Sequence, residues 1–243
     1  MRGCLLTLCC HPIRLHSQKG VAFRYSGPEM QREFVGLNFR GLLASLQAKH
    51  GFTLAPAEVN AYVSRELVEI IRMIEAECAP CAGANAVLAR LADPPSSTGS
   101  SSGGTKRGLA VVSSSALSRV EASLRKCGQE QYFPSTGDVA STRVFSAATS
   151  LPVPTTKPDP AVYLFACEKL GVDPKHCLAI EDSKSGATAA MRAGIPLLGY
   201  VGAYDDDEEK REVGRILTEQ CGALEIMQHW DDFDDILKRI EAM

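Results

Sequence analysis

Residues 157–196 read KPDPAVYLFACEKLGVDPKHCLAIEDSKSGATAAMRAGIP and decide the fold of this chain. A short apolar strand over residues 177–180 lies between two helical segments and ends in the carboxylates Glu181 and Asp182. Ligands of an open α/β sheet bind at the carboxyl ends of its strands, and a right-handed crossover returns Lys157 to the same edge. The stretch predicts a crevice that holds a cation beside paired carboxylates, as Mg²⁺-dependent phosphoryl chemistry requires.

Strands and helices alternate through the second half of the chain, which predicts an α/β fold with a doubly wound parallel sheet. The predicted strands are residues 109–112, 144–146, 177–180, 196–201 and 223–227. The predicted helices are residues 117–127, 161–170, 184–193, 210–219 and 233–240. Upstream, apolar residues at i, i+3 and i+4 predict a helical bundle over residues 28–91.

A second polar strand end follows residues 109–112, where Ser113 and Ser114 succeed four apolar residues. A serine hydroxyl there, with the backbone N–H groups at Ser114 and the following helix start, is suited to bind a phosphate oxygen. A serine-rich turn without such a role is the alternative interpretation.

Together these motifs resemble the haloacid dehalogenase-like (HAD) hydrolase superfamily, in its capped phosphatase branch, which includes phosphoglycolate-phosphatase-like and fungal-type members. The resemblance runs from about residue 25 to the C-terminus. It implies a Rossmann-like core with an inserted helical cap. It also implies a Mg²⁺-dependent phosphatase that acts on small phosphorylated metabolites of the sugar phosphate type.

The resemblance assigns roles to individual residues. Lys157 and Ser113 match catalytic positions, and Asp182 and Glu181 match the metal-binding acidic motif. Ser114 matches the phosphate-binding motif, and the resemblance extends to Asn38 and Arg40 in the cap as candidate substrate-binding residues. The alternatives are ordinary: Asp182 or Ser183 as a helix N-cap, Lys157 as a solvated lysine and Arg40 as a surface arginine.

One family motif is absent from the printed sequence. The family's nucleophile is the first aspartate of an Asp-x-Asp loop that precedes the cap, whereas the first aspartate of this chain is Asp93. In a complete relative that aspartate attacks a phosphate ester and forms an aspartyl-phosphate. The rival hypothesis is a catalytically inactive HAD-like protein that acts as a binding or regulatory module.

Four segments follow from the pattern: an atypical N-terminus (1–24), a helical cap (25–92), a flexible Ser/Gly-rich insertion (93–107) and the α/β core (108–243). A truncated, alternatively spliced or wrongly assigned start is favoured for the N-terminus. A mitochondrial transit segment and a signal-peptide core are the alternatives. Residues 3–10 are apolar enough to serve as a substitute first strand.

The bulk composition is that of an ordinary globular protein. The net charge of −3 gives no sign of a nucleic-acid partner, and no apolar run approaches the length of a membrane span. The expected partner is a small phosphorylated metabolite, the expected location is cytoplasmic, and the sequence does not define the oligomeric state.

The nine cysteines favour reduced thiols. The pair Cys78 and Cys81 and the group Cys9, Cys10, His11 and His16 are weaker candidates for metal or redox sites.

Overall fold

The structure is a computed structural model that describes residues 39–92, 107–135 and 142–243. The chain divides into two compact units, residues 1–78 and residues 79–243. Several predictions lie outside the described residues. They concern the N-terminal segment 1–24 with its substitute strand 3–10 and its Cys/His group, the residue Asn38, and nearly all of the insertion 93–107.

The described part of the first unit is helical, as the i, i+3, i+4 spacing predicted. Helix α1 (Phe39–His50) contacts helix α2 (Pro56–Glu77). At the start of α2, the Glu58 carboxylate accepts the Ala55 backbone N–H at 2.7 Å, which satisfies one of the amide groups that a helix start leaves unpaired. The buried apolar residues are Leu42, Leu43 and Leu46 on α1 and Ile70 and Ile74 on α2.

The second unit alternates helices with short parallel strands. Its strands are β1 (Val111–Ser113), β2 (Val144–Ser146), β3 (Ala179–Glu181), β4 (Leu197–Tyr200) and β5 (Glu225–Met227). Its helices are α3 (Ala84–Ala92), α4 (Leu117–Lys126), α5 (Ala161–Leu170), α6 (Lys184–Arg192), α7 (Asp207–Cys221) and α8 (Phe233–Glu241).

All of these strands pair in parallel. In the described residues, β1 pairs with β2 in one ladder, and β4 lies between β3 and β5 in another. Ser113 is in register with Ser146 at the carboxyl end of the first ladder, and Glu181 is in register with Gly199 in the second. The parallel α/β arrangement confirms the predicted fold class.

Strand β4 shows that helices cover both faces of its ladder. Successive residues of a strand point to opposite faces. Leu197 belongs to a buried cluster that includes residues of α5, α6 and α7, whereas Leu198 belongs to a cluster that includes residues of α3 and α8. Both leucines are almost fully buried. The sheet is therefore doubly wound, with an apolar layer on each side.

Helix α3 belongs to the second unit, although the sequence-based cap boundary was placed at residue 92. The Asn85 side chain donates to the Cys127 carbonyl at 2.9 Å and accepts from Gln129 at 2.7 Å. Arg90 donates to Asp234 at 2.8 Å. The helical periodicity of α3 marks an apolar face but does not tell which unit that face packs on.

Candidate functional site

Strand β1 delivers Ser113 and Ser114 to the turn that precedes α4. The Ser113 Oγ accepts the Ser115 backbone N–H at 3.1 Å, and the Ser113 carbonyl accepts the Ala147 N–H at 2.8 Å. The Ser114 Oγ accepts the backbone N–H of Lys157 at 3.0 Å. Because the Ser113 hydroxyl is held through its oxygen, its proton is available for donation to a ligand.

The buried hydroxyl of Ser146 supports this turn from β2. Ser146 is fully buried, and its Oγ donates to the Ser115 carbonyl at 2.7 Å. The same oxygen accepts the backbone N–H of Thr149 at 3.1 Å and the hydroxyl of Thr149 at 2.9 Å. These bonds fix the loop after β1 to the loop after β2. Sequence reasoning did not single out Ser146, because a serine at a strand end carries no distinctive signal.

Lys157 connects the two ladders through its ammonium group. Nζ donates to the Val112 carbonyl of β1 at 2.8 Å and to the Glu181 Oε1 of β3 at 2.5 Å. The side chains of Lys157 and Glu181 are only 9% and 10% exposed. A buried charge is tolerated when it is paired and hydrogen-bonded, and here one contact meets both conditions. The ordinary alternative of a solvated lysine is therefore wrong.

Tyr163, from the first turn of α5, completes this arrangement. Its hydroxyl donates to the same Glu181 Oε1, and its ring centroid lies 4.7 Å from the Lys157 Nζ. Burial, reinforced by the adjacent Glu181 charge, raises the pKa of Tyr163 well above its ordinary value. The phenol therefore keeps its proton and acts as a donor. Sequence analysis missed Tyr163, and the available signal was a tyrosine among apolar residues one turn after the Lys-Pro motif.

The acidic loop after β3 is held by its surroundings. A Cβ atom on Gly186 would lie 1.9 Å from the Glu181 Oε2, so the carboxylate occupies the space that a side chain on α6 would need. The hydroxyl of the buried Tyr204 donates to the Asp182 backbone carbonyl at 2.8 Å. The cap of α6 is Ser183, whose Oγ accepts the Gly186 N–H at 3.2 Å, so the N-cap role that was left open belongs to Ser183.

The structure thus brings Lys157 into contact with both Ser114 and Glu181, whose chain neighbours are Ser113 and Asp182. Arg40, the described candidate of the first unit, is exposed and donates to the Asn60 Oδ1 at 2.7 Å. That bond occupies part of the guanidinium within its own unit.

The described carboxylates do not by themselves form a Mg²⁺ site. Across residues 39–92, 107–135 and 142–243, no three His, Cys, Asp or Glu side chains lie close enough together to hold a metal ion. Glu181 is engaged by Lys157 and Tyr163, which leaves Asp182 as the carboxylate of the acidic loop with no hydrogen bond to a described side chain. A Mg²⁺ ion takes several more oxygen ligands than one carboxylate supplies.

Comparison with known proteins identifies the family. Residues 15–194 match the haloacid dehalogenase-like hydrolase family. The chain belongs to this family, which confirms the resemblance seen in its motifs.

Among the helices of the described residues, none combines the length and apolar character needed to cross a bilayer.

Individual relatives cover the chain unevenly. The 6-phosphogluconate phosphatase of Escherichia coli (strain K12) is 26% identical over 172 residues, which are 71% of this chain and 66% of that protein. A CBBY-like protein of Arabidopsis thaliana is 47% identical over 57 residues, 24% of this chain and 18% of that protein. The chain thus spans less than two thirds of the length of these curated relatives.

A solved structure shares the fold. The crystal structure of CbbY from Rhodobacter sphaeroides in complex with phosphate matches with a TM-score of 0.63 and 22% identity, covering 88% of this chain and 83% of that one. At this identity the likeness establishes the architecture, and the site's chemistry has to be argued from its own residues.

Proposed function

We propose that this site binds the phosphate group of a small phosphorylated metabolite of the sugar phosphate type, as a Mg²⁺-dependent phosphatase of the HAD family does. One observation carries the proposal: the Lys157 ammonium joins the serine-bearing end of β1 to the acidic end of β3. The 6-phosphogluconate phosphatase relative and the phosphate bound to CbbY support the same ligand class.

Each group has a defined part in binding. Ser113 donates its hydroxyl to a phosphate oxygen, and the backbone N–H groups at Ser114 and the start of α4 provide further donors. Lys157 supplies positive charge as a point donor, and Glu181 orients that ammonium rather than ligating a metal.

The charge balance of the site favours a bound cation. Lys157 and Glu181 neutralise each other, so Asp182 leaves the loop with net negative charge beside the place proposed for an anion. A Mg²⁺ ion near Asp182 would offset this repulsion and would polarise the phosphoryl oxygens. Further oxygen ligands must then come from groups other than the described carboxylates.

A second candidate function is phosphate binding without turnover. The printed sequence has no aspartate before Asp93, so the aspartyl-phosphate route lacks its nucleophile within these residues. In addition, the Lys157 ammonium already has three protein acceptors, of which the Tyr163 hydroxyl at 3.5 Å is the most distant. For the 243-residue polypeptide we expect binding with negligible hydrolysis.

Calorimetry and phosphate release separate these possibilities. The polypeptide is titrated with 6-phosphogluconate and with orthophosphate, with and without MgCl₂, and phosphate release is followed in parallel. Ser113→Ala should weaken binding about tenfold, the value of one hydrogen bond to a charged group. Lys175→Ala, which removes an exposed lysine elsewhere in the same unit, should leave binding unchanged.

The outcomes are distinct. Binding without release supports the non-catalytic function, and release that disappears in Asp182→Asn supports the phosphatase. If neither ligand binds with or without Mg²⁺, both candidates are rejected.

A further inference from the structure

Tyr163 touches both members of the buried ion pair, yet it belongs to none of the motifs that suggested the function. It lies on α5 and is 7% exposed. Its hydroxyl reaches Glu181 Oε1, the oxygen that Lys157 also contacts, and its ring lies beside the ammonium. Tyr163 therefore limits the positions of both the Glu181 carboxylate and the Lys157 ammonium.

We propose that Tyr163 is a positioning residue that directs the Lys157 ammonium toward the serine turn at the end of β1. The proposed use of that ammonium, contact with a phosphate oxygen, rests on the function proposed above. The positioning itself is a property of the Lys157, Tyr163 and Glu181 side chains and does not depend on a ligand.

The geometry explains why a positioning residue is needed. A lysine side chain has four rotatable bonds and a point charge, so a single ion pair leaves its direction loosely defined. Here the Val112 carbonyl and Glu181 Oε1 take two N–H groups at 2.8 and 2.5 Å, and the Tyr163 ring closes one side at 4.7 Å. The Tyr163 hydroxyl oxygen lies 3.5 Å from the same nitrogen and accepts a third, longer hydrogen bond, so three groups together set the direction of the ammonium.

The hydroxyl of Tyr163 acts through Glu181. Because it donates to Oε1, it fixes the carboxylate rotation that presents this oxygen to Lys157. The packing of Oε2 against Gly186 limits the opposite rotation. Without the hydroxyl, Oε1 keeps only the lysine as a donor, and the carboxylate and the ammonium move together.

The chain offers a matched control in Tyr204. Tyr204 is 4% exposed, and its hydroxyl donates to the main chain of Asp182 at 2.8 Å. The variants Tyr163→Phe and Tyr204→Phe each remove one buried hydroxyl that donates to the Glu181–Asp182 segment. If Tyr163 only filled space, both variants would change the stability of the protein, and neither would change the resonance of the Lys157 ammonium.

The test observes the side-chain ammonium of Lys157 by ¹H–¹⁵N NMR, with the resonance assigned by its loss in Lys157→Arg. We expect a slowly exchanging ammonium resonance in the wild type, a shifted or exchange-broadened one in Tyr163→Phe, and an unchanged one in Tyr204→Phe. An identical ammonium resonance in the wild type and Tyr163→Phe overturns the proposal, as does a wild type without a protected ammonium resonance.

A second measurement covers the case in which Tyr163→Phe does not fold. In the wild type, nuclear Overhauser contacts must then join the Tyr163 ring protons to the Lys157 side chain, and their absence rejects the arrangement. Orthophosphate titration adds the functional readout, with about tenfold weaker binding expected in Tyr163→Phe. If the wild type binds no orthophosphate, the proposed function fails while the NMR result still decides the positioning role.

Discussion

The ion pair between Lys157 and Glu181 is unusual because both side chains are about nine-tenths buried. Removing two charges from water is costly, and mutual attraction offsets that cost only when hydrogen bonds satisfy the remaining polar atoms. The Val112 carbonyl and the Tyr163 hydroxyl supply those bonds. A pair of this kind tolerates the loss of one partner poorly, since the other charge is left buried.

Glu181→Gln is therefore expected to lower the free energy of unfolding by about 3 kcal/mol, because Lys157 keeps a hydrogen-bond acceptor but loses its counter-charge. Urea unfolding of both proteins measures the difference. The control is Glu225→Gln, which breaks an ion pair with Arg239 whose side chains are 25% and 53% exposed. That change should cost less than about 1 kcal/mol. Equal losses in the two variants would contradict the buried-pair argument.

Cys167 gives a pH dependence with a definite sign. Burial, with a smaller effect from Cys177, raises the pKa of the Cys167 thiol from 9.0 to about 11. The folded state therefore holds this proton more tightly than the unfolded state. The resulting stability is fully present below about pH 9 and is lost as the pH rises from about 9 to about 11.

Thermal unfolding across that range tests this assignment. The wild type should lose more stability between about pH 9 and about pH 11 than Cys167→Ala does, because the variant lacks the shifted thiol. The small cavity left by the substitution lowers stability equally at every pH and does not alter the slope. Parallel pH profiles for the two proteins would show that Cys167 does not carry the effect.

At the scale of the elements, the position of the start of α6 depends on the close approach of Gly186 to the Glu181 carboxylate. Gly186 is buried in the helix against the Glu181 carboxylate. The carboxylate cannot simply swing away, because Lys157 and Tyr163 hold it. A larger residue at position 186 has to displace either the acid or the helix.

Gly186→Ala should therefore destabilise the protein by about 2 kcal/mol, the usual range for overpacking a tight interior. Gly214→Ala is the matched control: Gly214 is also buried in a helix, but its added Cβ would meet no atom closer than 3.7 Å. There the better helix propensity of alanine should raise stability by about 0.5–1 kcal/mol. Chemical denaturation of both variants gives the comparison, and a stable Gly186→Ala protein would disprove the clamped position of Glu181.

Chemical signals in the sequence predicted the end of helix α5 correctly but not the start of helix α7. Helix α5 ends at the predicted residue, since Gly171 takes the left-handed conformation that ends helices. Helix α7 begins earlier than predicted, at Asp207, because the Asp206 side chain accepts the Glu209 N–H and caps an acidic first turn.

The site residues that could be predicted from the sequence are those that lie at or after the carboxyl ends of predicted strands. Ser113, Lys157 and Glu181 were chosen from the order of strand ends and from the family resemblance. Tyr163, Ser146 and Tyr204 were not chosen, because their importance comes from contacts between loops that are distant in sequence. The pairing of Glu181 with Lys157 likewise depends on tertiary geometry, which a linear motif does not contain.

At the scale of the whole molecule, the second unit contains a complete set of apolar layers. Among its described residues, three buried clusters, which contain Phe145, Leu198 and Val120 respectively, draw their members from residues 79–243. A compact unit with its own core is expected to fold independently.

We accordingly expect a fragment of residues 79–243 to unfold in one cooperative transition, followed by near-ultraviolet circular dichroism during urea denaturation. Fixed aromatic packing, such as the Tyr200 and Trp230 rings at a centroid distance of 5.5 Å, should give the fragment a near-ultraviolet spectrum. A fragment with helical far-ultraviolet signal but no near-ultraviolet signal would be a molten globule. That result would show that residues 1–78 are needed for packing.

Lys157 also joins the two strand ladders. In the described residues β1 and β3 are not paired by a backbone ladder. The Lys157 ammonium bridges them, because it donates to the Val112 carbonyl of β1 and to the Glu181 carboxylate of β3. Under the proposed function, a phosphate that attracts the ammonium competes with this bridge between the strands, and a stronger bridge lowers the affinity for phosphate. Affinity and sheet cohesion are then reciprocally linked, since each changes the other by the same free energy.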